Sequence, residues 1–323
     1  MATGSQLDVG GRTINVTNLD KVLYPETGFT KGDLINYYIR ISPVLLPHLK
    51  DRPITLKRYP DGVAGLFFYE KKCPSHRPKW VETTRVAKSD GGAINYCMMN
   101  DLPALVWAAN LADLELHTFL HKAAAISRPT SLAFDLDPGP PADIVLCCQV
   151  GLWVKATFDA LGMESFAKTS GSKGLQVYVP LNTPVTYERT KAFAHALAQL
   201  LEREFPEVIV SKMQKSLRGG KVLVDWSQND DHKTTINVYS LRAKNHPTVS
   251  TPVAWDEVSE AVKRQDAKVL TFEYDDVLAR VKKRGDLFSP VVELKQKLPR
   301  LDALNRVSKR TRRSDRGQSI SGA

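Results

Sequence analysis

The chain has 323 residues, of which 42% are hydrophobic and 25% are charged. This is ordinary globular usage, so the composition excludes a disordered chain, a collagen-like repeat and a small disulfide-rich domain. The formal net charge of +10 favours a polyanionic partner such as nucleic acid. Half of this net positive charge lies in residues 303–323, which contain six basic residues and one acidic residue.

The chain carries no obvious membrane or export signal. No stretch approaches the roughly 20 apolar residues that cross a bilayer, and the N-terminus lacks a charged-then-apolar signal pattern. We therefore expect a soluble, cytoplasmic protein with no membrane partner.

The four cysteines show no paired CxxC spacing, and two of them are adjacent in an apolar run. Cys73, Cys97, Cys147 and Cys148 are accordingly predicted to be buried thiols. The Cys73-Pro-Ser-His76 segment could offer two zinc ligands, but no second pair lies at the spacing of a zinc site.

The N-terminal part, about residues 1–130, mixes short strands with helices. Its predicted elements, in order, are a strand at 12–16, a helix that begins at a Thr30/Asp33 capping box, strands at 53–59 and 64–70, and a helix from Pro103 to His117 capped by Asp101.

The middle part, about residues 131–245, has strands predicted at 131–137, 174–181, 221–227 and 234–241, and helices at 141–162 and 186–205. Because its last two strands follow one another directly, the sheet is mixed and the fold class is α+β. Helices near 253–265 and 274–284 complete a single domain that ends near residue 299. The Arg/Ser-rich segment 300–323 is predicted to be a disordered basic tail.

Acidic residues lie at the ends of two predicted strands. Asp135 and Asp137 are two residues apart, so both side chains lie on the strand face opposite the apolar residues between them. Asp225 lies near the end of a second strand. Three carboxylates that meet at one sheet edge would hold two Mg²⁺ or Mn²⁺ ions. The alternative is that these acids are merely solvated.

Two basic loops lie near these acids in the sequence. The segment TSGSKG, residues 169–174, has the glycines, serines and lysine of a phosphate-binding loop, although a flexible surface turn is the alternative. It lacks Walker A spacing and precedes a strand. A second loop contains Arg218, and Arg242 follows the next strand. Such groups are what a nucleoside triphosphate on two metals requires.

Cations and aromatic rings also lie close together in the N-terminal part. Lys57 and Arg58 precede Phe67 and Phe68, and a basic groove with exposed rings would stack bases and follow a nucleic-acid backbone. Burial of alternate rings in a core is the other interpretation. His117, at the end of its predicted helix, could bind phosphate or be a surface histidine.

Five motifs, in order along the chain, resemble those of one family. They are NLDKVLYP with TKGDLINYY, FDLDPG, TSGSKGLQVY, KSLRGGKVLVDWSQN and YSLRAKNHPTV. They cover roughly residues 12–290 and resemble the polymerase/primase domain of bacterial ligase D, in the archaeo-eukaryotic primase superfamily. The resemblance implies largely antiparallel sheets flanked by helices around an RRM-like catalytic core. The length leaves no room for a ligase or phosphoesterase module.

The resemblance also implies roles for individual residues. The catalytic, metal-holding carboxylates would be Asp135, Asp137 and Asp225, with two Mn²⁺ or Mg²⁺ ions. The contacts to the incoming NTP or dNTP would come from Lys57, His117, Ser170, Ser172, Lys173, Arg218, Gln228 and Arg242. The DNA contacts would come from Phe67 and Phe68, which stack on the template, and from Lys21 and Lys31, which hold a 5′-phosphate; Arg58 is placed with them by its position beside Lys57. Gln176 stands where the family usually has a histidine.

The implied activity is nucleotidyl transfer, in which a DNA-dependent polymerase extends a primer 3′-hydroxyl, fills short gaps and prefers ribonucleotides. Such enzymes act at DNA double-strand breaks in non-homologous end joining, which implies Ku and a DNA ligase as partners and a place near the bacterial nucleoid. One rival is a non-catalytic DNA-end-binding module. The other is a haloacid-dehalogenase-like phosphatase with Asp135 as nucleophile, which is disfavoured because 134 residues precede a motif that normally opens its domain.

Overall fold

The computed structural model describes residues 4–88, 91–304 and 306 of the chain. The strands are β1 (Gly4–Val9), β2 (Arg12–Thr17), β3 (Val22–Tyr24), β4 (Phe29–Thr30), β5 (Pro53–Arg58), β6 (Phe68–Glu70), β7 (Thr83–Ala87), β8 (Ala93–Met98), β9 (Asp113–Thr118), β10 (Ser131–Pro138), β11 (Phe166–Thr169), β12 (Leu175–Pro180), β13 (Ile209–Val210), β14 (Val222–Asp225), β15 (Thr235–Ile236) and β16 (Pro252–Val253). The helices are α1 (Lys31–Leu49), α2 (Leu102–Asn110), α3 (Ile144–Ala160), α4 (Tyr187–Glu204), α5 (Trp255–Arg264), α6 (Tyr274–Arg284) and α7 (Pro290–Glu293).

One sheet has the strand order β13-β14-β10-β12-β11-β16. Its neighbours pair antiparallel, except that β13 and β14 are parallel. On β10, Leu132, Phe134 and Leu136 are fully buried in a core that also contains Phe158 of α3 and Phe193 of α4. This packing leaves the alternate residues of β10 for the opposite face of the sheet.

A second sheet has the order β15-β9-β5-β8-β7, and β6 also pairs with β5. The helices α1 and α2 cover it, and the Tyr38 hydroxyl of α1 donates to the Leu114 carbonyl of β9 at 2.8 Å. Because β15 comes from the middle of the chain yet pairs with β9, the N-terminal and middle parts are joined through one sheet. This pairing also brings His117 opposite Ile236.

Helix α1 begins at the predicted capping box. The Thr30 hydroxyl oxygen accepts from the Asp33 backbone N–H at 3.1 Å, and the Asp33 carboxylate accepts from the Thr30 N–H at 2.8 Å. These bonds satisfy backbone donors that the helix itself leaves without partners. The N-cap of α2 is Asp101, as predicted. None of the helices in the described residues is both long and apolar enough to cross a bilayer.

The predicted helix over Pro103–His117 is wrong in its second half. Helix α2 ends at Asn110, the chain turns at Ala112 with a φ of 57°, and His117 lies on strand β9. The physical reason is that Leu114 and Leu116 alternate with polar residues, a period of two that suits a half-buried strand. Two strands are also shorter than predicted. Of the predicted strand 64–70 only β6 is observed, and of the predicted strand 234–241 only β15 is observed.

The prediction of four thiols is wrong for two cysteines. Cys73 and Cys97 form a disulfide with their Cα atoms 4.9 Å apart, whereas Cys147 and Cys148 are free and buried. The residue Cys73 follows β6, and its backbone N–H donates to the Asn95 carbonyl of β8 at 2.7 Å, which brings it beside Cys97. Since its sulfur is bonded to Cys97, Cys73 is not a zinc ligand.

The described residues continue past residue 299, where the predicted domain ends. Residues 302–304 are helical, and Leu304 is buried in the core beneath the first sheet. The remainder of the predicted basic tail, residues 305 and 307–323, lies outside the described residues.

Candidate active site

The three predicted carboxylates meet on neighbouring strands. In the antiparallel pairing of β10 with β14, Asp135 lies directly opposite Asp225, and Asp137 follows two residues later on the same face. On the other side of β10, Gln176 of β12 lies opposite Asp135. The strand arrangement therefore brings together acids that are 90 residues apart in the sequence.

This cluster is electrostatically unfavourable without cations. Burial, and then the charge of Asp137, raise the pKa of Asp135 to about 7. Burial and Asp225 raise the pKa of Asp137. One carboxylate oxygen of Asp135, Oδ1, is buried without a hydrogen-bond partner in the described structure. An unpartnered oxygen beside like charges is costly unless something compensates it.

The donor set fits hard divalent cations. All three groups offer carboxylate oxygens, which suit Mg²⁺ and Mn²⁺ rather than soft metals. Asp225 is fixed by the Ser227 backbone N–H, 2.8 Å from Oδ1, and by the Gln228 side-chain amide, 3.1 Å from Oδ2. These bonds orient the carboxylate while leaving lone pairs on both oxygens.

A cleft of about 260 Å³ opens beside the acids. Most of the residues predicted to bind nucleotide line it, together with two of the acids: His117, Asp135, Asp137, Ser170, Ser172, Lys173, Gln228 and Arg242. Arg218 does not line the cleft, but its charge lowers the pKa of Asp137 against the effect of burial, so it lies close to the acids.

The loop over residues 169–174 is held in shape by its own first serine. The Ser170 hydroxyl accepts from the backbone N–H groups of Ser172 and Gly174 at 3.2 and 3.1 Å. Gly174 is required because a Cβ there would lie 2.2 Å from the Leu136 carbonyl oxygen. Lys173, by contrast, lines the cleft and makes no hydrogen bond or ion pair with any described residue.

A residue that the sequence analysis missed connects several of the predicted cations. The Glu115 carboxylate of β9 lies 3.3 Å from Lys57 Nζ, 3.0 Å from His117 Nε2 and 3.3 Å from Arg242 Nε. It also accepts from the Ala243 backbone N–H at 3.0 Å. The alternation Leu-Glu-Leu-His was a signal for it, because a strand places Glu115 and His117 on one face.

The pKa values of this cluster follow from its charges. Burial opposes ionisation of Glu115, but the hydrogen bond with His117 and the charges of Arg242 and Lys57 outweigh it and hold its pKa well below the usual range. Burial lowers the pKa of His117 despite the Glu115 hydrogen bond. Glu115 is therefore an ionised, almost fully buried anchor for basic groups at the edge of the cleft.

Exposed aromatic rings extend from this cluster to the surface. Phe67 and Phe68 are both about half exposed, so neither ring is buried in the core. The Phe67 ring lies 5.7 Å from that of Tyr69, and the Tyr69 ring lies 6.1 Å from that of His117. Lys57 Nζ lies 4.7 Å from the Phe67 centroid. The rings of Phe67, Tyr69 and His117 thus form a row that leads from the surface toward the cleft.

Arg58 is partly buried and is bonded to other residues of the protein. Its Nη1 lies 2.6 Å from a Glu70 carboxylate oxygen, and its Nε donates to the Leu111 carbonyl at 2.9 Å. These bonds use the guanidinium to join β5 to β6 and to the end of α2. Its proposed contact with DNA gains no support from this geometry.

The two predicted phosphate-binding lysines flank the β3–β4 hairpin, with Lys21 just before β3 and Lys31 at the start of α1. The Lys31 backbone N–H donates to the Lys21 carbonyl at 2.8 Å. Burial, and then the charges of Lys21 and Arg58, lower the pKa of Lys31 to about 8. Its Nζ has one weak bond, to the Thr17 hydroxyl at 3.4 Å, whereas Lys21 pairs with Asp61 at 2.8 Å. Such mutually repelling ammonium groups would be stabilised by an anion.

Comparison with known proteins identifies the class and then the family. Residues 30–288 match the model of a primase-polymerase domain. This family model describes the LigD primase-polymerase domain, and the chain belongs to that family. The predicted resemblance and the predicted α+β fold are thereby confirmed.

Two relatives and one solved structure show how far the similarity extends. The multifunctional non-homologous end joining protein LigD of Mycolicibacterium smegmatis is 40% identical over 280 residues, 86% of this chain and 36% of that protein. The bifunctional non-homologous end joining protein LigD of Bacillus subtilis is 31% identical over 299 residues, 92% of this chain and 47% of that protein. The polymerase domain from Mycobacterium tuberculosis Ligase D in complex with DNA matches with a TM-score of 0.81 and 38% identity, covering 88% of this chain and 99% of that chain. The chain thus spans less than half the length of either relative.

Proposed function

We propose that this protein is a DNA-dependent nucleotidyltransferase that extends a primer 3′-hydroxyl by two-metal phosphoryl transfer. The observation that carries the proposal is the meeting of Asp135, Asp137 and Asp225 beside a cleft whose walls include the basic groups Lys173 and Arg242. The similar polymerase domain of M. tuberculosis Ligase D was solved with DNA, which supports a DNA substrate here.

The three carboxylates would hold two Mn²⁺ or Mg²⁺ ions. When bound, such ions lower the pKa of the attacking 3′-hydroxyl and neutralise charge on the α-phosphate and the leaving pyrophosphate. Ser227 and Gln228 keep Asp225 oriented for this role through their hydrogen bonds.

The basic groups around the cleft would hold the triphosphate. Lys173 has no hydrogen-bond or ion-pair partner among the described residues, so it is free to neutralise a phosphate oxygen. Arg242 donates to the Ser170 carbonyl and contacts Glu115, which fixes it between the loop and β9. Ser170 acts indirectly because its hydroxyl shapes the loop, whereas the Ser172 side chain is left for the nucleotide. Lys57 and Arg218 add positive charge at the edges, and His117, whose pKa is lowered by burial, offers its imidazole ring to the nucleotide.

The exposed aromatic rings and the two lysines that flank the β3–β4 hairpin would bind DNA. Phe67 and Phe68 offer half-exposed faces on which template bases can stack. Lys21 and Lys31 would hold the 5′-phosphate at the far side of a gap.

Loss of a stacking ring should weaken template binding selectively. We expect Phe67→Ala to lower affinity for a gapped duplex about tenfold or more, since base stacking on an aromatic ring contributes about 1–3 kcal/mol. Fluorescence anisotropy with a labelled duplex measures this. Leu66→Ala is the matched control, because Leu66 is 79% exposed on the same loop and offers no ring. Equal affinities for the two variants would contradict the stacking role.

The preference for a 5′-phosphate should depend on pH. Because the pKa of Lys31 is lowered to about 8, its charged, phosphate-binding form is present below that pH and lost above it. The ratio of affinities for gapped duplexes with and without the 5′-phosphate should therefore fall between pH 7 and pH 9. Lys31→Arg should flatten this fall, since a guanidinium stays charged throughout. A ratio that is independent of pH in the wild type would exclude Lys31 from the phosphate contact.

The biological setting follows from the same proposal. The names of the relatives support a role in non-homologous end joining. The proposal adds Ku and a DNA ligase as partners and DNA of the bacterial cytoplasm as substrate. Ribonucleotide preference belongs to this proposal as well.

The test is primer extension across a short gap. We expect wild type to add nucleotides with Mn²⁺ or Mg²⁺, faster with NTPs than with dNTPs and faster when the gap carries a 5′-phosphate. No extension with either metal or either sugar would refute the proposed activity. Extension that favours dNTPs would refute only the ribonucleotide preference.

A further inference from the structure

A buried lysine lies in the same sheet as the three carboxylates, two strands away from Asp135. Lys168 of β11 is only 1% exposed, which is unusual for a charged side chain. In the sheet register Lys168 lies opposite Gln176, Gln176 opposite Asp135, and Asp135 opposite Asp225. The row therefore crosses four adjacent strands, with a basic group at one end and two acids at the other.

The hydrogen bonds of Lys168 fix the orientation of the Gln176 side chain. The Lys168 Nζ donates to Gln176 Oε1 at 2.5 Å and to the Ser250 hydroxyl at 2.7 Å. Ser250 in turn donates to the Thr169 carbonyl at 2.8 Å, so its oxygen is presented to the lysine. Because Nζ donates this bond, the amide turns its oxygen toward Lys168 and its NH₂ group away from it.

The orientation of the Gln176 amide determines which group faces Asp135. With Oε1 held by the lysine, the NH₂ group of Gln176 is left to face the carboxylate across the strands, and a hydrogen bond from Gln176 lowers the pKa of Asp135 against the effect of burial. If the amide flipped, it would present an oxygen to a carboxylate, which is repulsive. The orphaned Oδ1 of Asp135 remains for another ligand.

We propose that Lys168 is a positioning residue for the carboxylate site, which acts through Gln176 to hold Asp135 in the orientation that binds a divalent cation. The proposal rests on the proposed function, because it assigns cation binding to the three acids. Partners behind metal ligands typically contribute 10–100-fold to metal affinity. In this chain the lysine and the amide would together perform that supporting role.

The test measures Mn²⁺ binding to the whole protein without DNA or nucleotide, from the free-Mn²⁺ electron paramagnetic resonance signal at one fixed pH. We expect Lys168→Met to weaken Mn²⁺ binding about 10–100-fold, and Gln176→Leu to weaken it by a similar factor. Because the lysine acts through the amide, the double variant should bind no more weakly than Gln176→Leu alone. Lys155→Met, which removes a lysine paired with Asp159 on α3, should bind as wild type does.

The outcomes separate the two proposals. Unchanged Mn²⁺ binding by Lys168→Met, or additive losses in the double variant, would overturn the role of Lys168. If Lys168→Met does not fold, judged by circular dichroism, unchanged binding by Gln176→Leu would overturn it equally. Mn²⁺ binding by Asp225→Ala that equals that of wild type would instead show that the acids are not the cation site.

Discussion

Asp225→Ala is expected to abolish nucleotide addition while leaving the protein folded and able to bind DNA. The proposed metals supply several kcal/mol of transition-state stabilisation, and a loss of about 4 kcal/mol corresponds to a thousandfold lower rate. Single-turnover extension of a gapped duplex at saturating NTP measures the rate. The direct contacts of Asp225, with Ser227 and Gln228, lie on the adjoining loop, so its removal should not disturb the sheet.

A second measurement separates loss of function from loss of structure. The carboxylate of Asp225 raises the pKa of Asp137, which means that the two acids repel each other in the folded protein. Without added metal, Asp225→Ala should therefore unfold at the same temperature as wild type or a higher one. Asp159→Ala, an exposed acid on α3, is the control for both measurements and should extend normally. Undiminished extension by Asp225→Ala would remove this residue from the catalytic site.

Glu115→Gln is expected to lower the free energy of unfolding by about 3 kcal/mol. The substitution keeps the size of the side chain but removes the charge that Lys57, His117 and Arg242 share. Removing one partner of a buried ion pair leaves the others uncompensated and typically costs about 3–5 kcal/mol. We expect the lower end of that range because Lys57 and Arg242 are partly exposed. Urea unfolding at pH 7 measures the difference.

The pH dependence of this effect has a definite sign. Because the pKa of Glu115 is depressed in the folded protein, its stabilisation is fully present above the ordinary glutamate pKa of about 4.5 and is lost as the pH falls below it. The difference between wild type and Glu115→Gln should therefore shrink in acid. Glu70→Gln, which breaks a half-buried pair with Arg58, should cost no more than about 1 kcal/mol. Equal losses in the free energy of unfolding for the two substitutions would mean that Glu115 stabilises the protein no more than an ordinary half-buried ion pair does.

The carboxylates could be predicted from the sequence because their signal is local. Asp135 and Asp137 alternate with apolar residues on one strand, and a strand has only two faces. Asp225 lay near the end of another predicted strand, and only the pairing of β10 with β14 brings it opposite Asp135.

The remaining features could not be predicted because they depend on sheet order. Glu115 acquires its cations from β5 and from the segment after β15, and nothing in the local pattern identifies those neighbours. Lys168 is distinctive only because β11 pairs with β12. The disulfide arises because the segment after β6 lies beside β8. His117 was placed on a helix because the Asp101 cap and Pro103 mark where a helix begins but not where it ends.

The most direct measurement follows one incoming nucleotide to both of its products on a one-nucleotide gap with a 5′-phosphate. A nucleotidyltransferase must release one pyrophosphate for each primer that gains a nucleotide, and both products should require Mn²⁺ or Mg²⁺. We predict equal yields of the two products with wild type. Release of inorganic phosphate without extension would indicate a phosphatase. Binding of the gapped DNA with neither product would indicate a DNA-end-binding module, and either result would contradict the proposed polymerase activity.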